Sequence, residues 1–185
     1  DPFPANGTGE GAIAELRDGR IYYTSRRHLD PPGVNPSMRW EAWSEDGGHT
    51  WKDLKISPVL PDGPLGNTGG TFCGLVRLPV KGRDILIYSN CDTPGGNREN
   101  VTVWASFDKA QTWPIKRSVY KPVSAYSSLT AGRPGTASEG TICILFEGGK
   151  AFRHEGAFAA SFNLSWVLGG ERTGDGEVPK WVATK

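Results

Sequence analysis

The 185 residues carry 21 basic and 20 acidic side chains, and a formal net charge of +1 gives no electrostatic ground for binding nucleic acid or an acidic membrane surface. No apolar run approaches the roughly 20 residues of a membrane span, and the start at Asp1 has no signal-like apolar core and reads as a processed or excised product. Twenty-five glycines, 14 prolines and seven tryptophans, in a length that suits one domain, point to an all-β protein with short, tight connections.

Strand-like runs follow one another over 11–16, 20–27, 38–45, 51–57, 71–80, 84–91, 100–107, 112–120, 124–130, 141–147 and 157–168. Each is rich in β-branched and aromatic residues and bounded by turn formers such as Arg17-Asp18-Gly19-Arg20, Asp46-Gly47-Gly48 and Lys81-Gly82-Arg83. No segment holds a 3.6-residue apolar period for three turns, so no substantial helix is expected. Cys73, Cys91 and Cys143 show no metal-type pairing. Cys73 and Cys91 lie nine residues either side of Gly82, which suits either a disulfide across that hairpin or two buried thiols. Sequons at Asn6, Asn100 and Asn163 point to the secretory pathway.

A repeat stands out. Ser44-Glu45-Asp46-Gly47-Gly48-His49-Thr50-Trp51 and Ser106-Phe107-Asp108-Lys109-Ala110-Gln111-Thr112-Trp113 share Ser, Asp, Thr and Trp in one register. Their separation of about 60 residues is long enough for one four-stranded unit and an insertion. The motif reads as a locked hairpin: Asp holds turn amides, Gly accepts unusual dihedrals and Trp packs between layers.

The pair resembles the Asp-box repeat of sialidases and some other β-propellers. Further strings are similar to sialidases. Ser124-Ala125-Tyr126-Ser127-Ser128-Leu129 is followed one hairpin later by Ile144-Leu145-Phe146-Glu147, and Glu10 precedes Glu15-Leu16-Arg17-Asp18-Gly19 and then Ser25-Arg26. Asn97-Arg98-Glu99-Asn100-Val101-Thr102 lies just before the strand leading to the second repeat. The resemblance spans about residues 8–168 and is closest to lysosomal-type animal sialidases. It implies the C-terminal three blades of a six-bladed propeller, at about 10–57, 71–120 and 124–169, and leaves the polar tail 170–185 uncovered.

The implied chemistry is removal of terminal sialic acids with retention, or transfer of them. A non-catalytic carbohydrate-binding or structural propeller subunit is the alternative of another class. A sialic acid carries its carboxylate on the anomeric carbon, which repels a carboxylate nucleophile but not a tyrosine hydroxyl. By resemblance Tyr126 is the nucleophile and Glu10 the base that takes its proton. Arg26 and Arg98 grip the substrate carboxylate, and Glu147 orients a further arginine. Because Glu147 ends an apolar run, it is expected to be buried against a counter-charge. The general-acid Asp and that further arginine are expected outside this chain, in an N-terminal half of the propeller acting as its partner. The substrate is a sialylated glycan, and no metal or other cofactor is implied. Arg20, Arg27, Arg39 and Arg77 read as surface cations, and His28, His49 and His154 as surface or structural residues.

Overall fold

The computed structural model describes residues 8–27, 38–62, 70–93 and 97–169. Asn6, His28 and the tail 170–185 lie outside the described residues. Ten antiparallel strands follow in chain order: β1 (Thr8–Glu15), β2 (Ile21–Arg27), β3 (Met38–Ser44), β4 (Lys52–Pro61), β5 (Gly74–Arg77), β6 (Leu86–Cys91), β7 (Glu99–Ser106), β8 (Ile115–Ala131), β9 (Thr141–Gly148) and β10 (Gly156–Asn163). One short helix, α1 (Leu164–Val167), occupies the end of what reads in the sequence as a last strand.

Strands β1 to β4 form one meander, and β5 to β10 form a second, six-stranded sheet. The second sheet turns a corner within β8. Residues 115–123 of that strand pair with β7, and residues 124–131 pair with β9. The sequence reading breaks this strand at 121–123. Pro122 does stand there, but the chain stays extended and changes partner instead of ending.

Two cores separate three layers. Along β6 and the residue before it, Leu86 and Tyr88 point one way and Ile85 and Ile87 the other, and all four are fully buried. Leu86 and Tyr88 join Leu16, Tyr22, Trp43, Trp104 and Trp113 between the first sheet and the β5–β8 layer. Ile85 and Ile87 join Val101, Val103, Ile142, Ile144 and Val167 between that layer and the β8–β10 layer. A strand buried on both faces loses the polar alternation that marks a half-exposed strand, so Ile85 to Tyr88 read as a continuous apolar run. Trp113 sits between the layers, 6.1 Å from both Tyr22 and Tyr88.

The two repeated turns join β3 to β4 and β7 to β8 with the same bonding. Thr50 donates its amide (2.8 Å) and hydroxyl (2.5 Å) to Asp46, and Gly48 donates to the Ser44 hydroxyl. Thr112 donates its amide (2.8 Å) and hydroxyl (2.5 Å) to Asp108, and Ala110 donates to the Ser106 hydroxyl. The second turn holds Lys109 and Ala110 at φ of 64° and 65°, where the first uses Gly47 and Gly48. The side-chain cradle is therefore strong enough to keep non-glycine residues in the left-handed region.

Two expectations are corrected. Cys73, Cys91 and Cys143 are all free. Gly74 faces Ser89, one residue out of the register that would set Cys73 against Cys91. Arg27 and Arg39 are fully buried, not surface cations. Asn100 uses its amide nitrogen on the Asp92 carbonyl and its amide oxygen on Ser118, so this sequon asparagine is committed to the fold.

Two outcomes are expected. Thiol counting under denaturing, non-reducing conditions finds three thiols per chain. Ser106→Ala leaves the buried Ala110 amide without its acceptor and lowers the unfolding free energy by about 1–3 kcal/mol in a denaturant titration.

Candidate active site

Three breaks in ladder regularity meet at one place. Thr8 faces Arg27 but Gly11 faces Ser25, so Gly9 and Glu10 together oppose Arg26. Ser124 faces Gly148 but Ser127 faces Phe146, so Ala125 and Tyr126 together oppose Glu147. The β7–β8 ladder also shifts between Glu99 and Val101, with Asn100 at φ 58° and Arg98 just before the strand. A bulge of this kind bends the strand and re-aims its side chains, and it leaves backbone groups that need partners off the ladder. The Tyr126 amide donates to Glu147 Oε2 at 3.2 Å, and the Glu10 carbonyl accepts from Arg39 Nη2 at 3.2 Å.

The re-aimed side chains converge although they lie far apart in sequence. The Tyr126 phenol donates to Glu10 Oε1 at 2.6 Å. Arg26 Nη1 donates to Glu10 Oε2 at 2.8 Å and to the Tyr126 phenol oxygen at 3.2 Å. The Arg98 guanidinium carbon lies 5.6 Å from the centre of the Tyr126 ring, and Phe72 packs on that ring at 6.0 Å. Arg98 is 8% exposed and donates to the Gly70 carbonyl at 2.8 Å. No acidic side chain among the described residues pairs with it. Gly70 is close-packed: a Cβ there would meet the Asp62 carbonyl oxygen at 2.3 Å.

This geometry fixes where the proton rests and where it can go. Burial raises the Tyr126 phenol above its ordinary value; the Glu10 hydrogen bond and charge raise it further, against the pull of Arg26 and Arg98. The resting proton is on the phenol, with a carboxylate oxygen at bonding distance to receive it. A phenolate formed by that transfer would face two guanidinium groups. Burial lowers the Arg98 value and Arg153 and Arg26 add repulsion, yet guanidinium stays a cation across the working pH range.

Tyr126, Glu10, Arg26 and Arg98 are thus brought together, and Arg27 is turned away, its guanidinium carbon 5.6 Å from the Trp40 ring. Glu147 adjoins the group, but its side chain is 39% exposed, and His154 Nδ1 lies 3.1 Å from its Oε2. The expectation of a buried acid fails because Glu147 lies opposite a bulge near the end of β9, where the apolar run has left the core. Sequence reading missed Arg39 and Asp62, a buried pair directly behind Glu10. No group of three or more His, Cys, Asp or Glu among the described residues could hold a metal ion. A cleft of about 950 Å³ lies elsewhere, between Pro79 and Gly82, the β8–β9 loop and the start of α1. Of its basic residues, Arg77 is already paired with Asp84.

No family model matches the chain. It is 33% identical over 170 residues to a sialidase from Micromonospora viridifaciens, covering 88% of this chain and 23% of that protein. It is 30% identical over 129 residues to a sialidase from Vibrio cholerae, covering 65% of this chain and 16% of that protein. Its relatives are sialidases. Both are bacterial, so the expected kinship to lysosomal animal enzymes is not what these matches give. The sialidase-like chain spans about a quarter or less of their length. Its fold is similar to that of the intramolecular trans-sialidase from Ruminococcus gnavus in complex with oseltamivir carboxylate, with a TM-score of 0.63, 20% identity, and coverage of 87% of this chain and 34% of that one.

The proton arrangement predicts the behaviour of one variant. Glu10→Gln removes the charge that raises Tyr126 and weakens its hydrogen bond to that of a neutral acceptor, leaving burial opposed by two arginines. The Tyr126 phenol then titrates at lower pH than in the unsubstituted protein, as read by alkaline difference absorbance against Tyr126→Phe.

Proposed function

We propose that this chain is the nucleophile-bearing part of a retaining exo-sialidase, with Tyr126 attacking the anomeric carbon of a terminal sialic acid. The 2.6 Å bond from the Tyr126 phenol to Glu10, flanked by Arg26 and Arg98, carries the reading. Glu10 accepts the phenol proton as the phenol oxygen forms its bond to the anomeric carbon and the bond to the leaving group breaks. Water then attacks the glycosyl intermediate and gives a proton back to the group that protonated the leaving group, the Tyr126–carbon bond breaks, and Glu10 returns its proton to the phenolate oxygen. Arg98, buried and without an acidic partner among the described residues, suits the substrate carboxylate, and Arg26 adds a second cation. A neutral nucleophile escapes the repulsion that this carboxylate would impose on an acid.

The leaving group still needs a proton donor, and Glu147 a further arginine. We assign both to a segment outside these residues, the N-terminal blades of a six-bladed propeller to which the present sheets contribute three. Ile13 and Leu145, exposed on strands whose neighbouring residues Ala14 and Phe146 are buried, leave apolar surface on both flanks for such neighbours. An extracellular or lysosomal setting, where sialylated glycans are displayed, goes with this reading. No helix among the described residues is long and apolar enough to cross a membrane.

Transfer to an acceptor other than water is the second reading, favoured by the trans-sialidase neighbour. It uses the same nucleophile, and product analysis separates the two.

Tyr126→Phe in the intact protein lowers turnover of an aryl sialoside by at least about a hundredfold while a sialic-acid analogue still binds. Near-normal turnover would remove Tyr126 from the mechanism. Arg98→Lys and Arg26→Lys keep the charge but lose the bidentate fork, so KM rises in each. A larger effect from Arg27→Lys would contradict the placement of Arg26.

A further inference from the structure

Arg39, on β3, is fully buried, and its guanidinium is spent on backbone as much as on charge. Nη1 donates to Asp62 Oδ1 and to the Thr71 carbonyl, each at 2.9 Å. Nη2 donates to the Glu10 carbonyl at 3.2 Å and lies 3.0 Å from Cys73 Sγ. Nε donates to the Thr24 hydroxyl at 3.4 Å. The other oxygen of Asp62, which is also fully buried, accepts the Arg27 amide at 2.6 Å.

These contacts have a pattern. The bulge that aims Glu10 is built from two strands, Gly9-Glu10 on β1 and Arg26 on β2. Arg39 holds the first strand at the Glu10 carbonyl. Asp62 holds the second at the Arg27 amide, one residue beyond Arg26. The two are joined to each other, so one ion pair clamps both sides of the irregularity. Replacing a buried ion pair by well-packed apolar residues is often neutral or stabilising, so its presence here is poorly explained by stability alone. Hydrogen bonds from its planar fork to the carbonyls of Glu10, Thr71 and Thr24 and to a carboxylate give direction that apolar packing lacks.

We propose that the buried Arg39–Asp62 pair is a positioning device that fixes the Glu10 bulge and thereby sets the Tyr126–Glu10 hydrogen bond. The proposal rests on the reading of that hydrogen bond as the catalytic one. Neither residue touches Tyr126, so both act through Glu10.

Two variants test it in the intact protein. Arg39→Lys keeps a cation beside Asp62 but cannot reach the Glu10 carbonyl at the same time. Arg39→Met combined with Asp62→Asn removes both charges of the pair and keeps an acceptor for the Arg27 amide. The readout is the Cζ resonance of Tyr126 in ¹³C-tyrosine-labelled protein, assigned with Tyr126→Phe and compared with Glu10→Gln. In either folded variant the resonance moves toward its position in Glu10→Gln, and kcat for an aryl sialoside falls about 10- to 100-fold while KM stays within about twofold, as expected for a misplaced base with intact binding cations. A folded variant with the Tyr126 resonance at its unsubstituted position overturns the proposal, even if its unfolding midpoint drops. If the unsubstituted protein turns over no sialoside, the sialidase reading fails, while the resonance still decides whether the pair positions Glu10.

Discussion

A β-ladder that ran regularly through Glu10 and Tyr126 would send alternate side chains to fixed faces and could not bring these two together as they are. The fold escapes that constraint with two-against-one bulges, one on β1 and one on β8, whose opposing residues are Arg26 and Glu147. Four of the five candidate residues therefore come from two local faults in register. Each fault frees backbone groups, and each time a charged side chain takes one up. Glu147 accepts the Tyr126 amide and Arg39 donates to the Glu10 carbonyl. The irregular backbone and the charge cluster are one feature.

The cations around Tyr126 show how burial and charge are balanced. Arg26 is neutralised by Glu10, while Arg98 is held by a carbonyl and an aromatic face instead of an acid. A buried guanidinium with no carboxylate beside it among the described residues is what the proposed binding of a substrate carboxylate requires. Arg39, by contrast, has its carboxylate built in. The same residue type thus lies beside a carbonyl and a ring at Arg98 and beside a carboxylate at Arg39, and the difference lies in which acid among the described residues is within reach.

Much of this was legible in the sequence, and the failures are specific. The strings around Tyr126, Arg26 and Arg98 are local, and so are the Ser-x-Asp and Thr-Trp positions that lock the two turns, so both survive reading along one dimension. Arg39 and Asp62 look like solvated charges because nothing in their neighbours announces that β3 and the end of β4 are covered. Their burial is set by residues such as Thr71 and Cys73, which are distant in sequence. Register is the other blind spot. A slip of one residue separates the expected Cys73–Cys91 pairing from the observed Gly74–Ser89 register, and the bulges at Glu10 and Tyr126 are slips of the same size. Glu147 lies beside Tyr126, and its exposure follows from the bulge it opposes.

The account stands or falls on a bond between the Tyr126 oxygen and the anomeric carbon. The direct measurement is to treat the intact protein with a 2,3-difluoro sialic acid, which slows release of a glycosyl intermediate, and to map the adduct by peptide mass spectrometry. The account predicts one added sialosyl group on the peptide containing Tyr126, with none formed by Tyr126→Phe. A label on Glu10 or on any other residue, or continued turnover of sialosides with Tyr126 replaced, would contradict it.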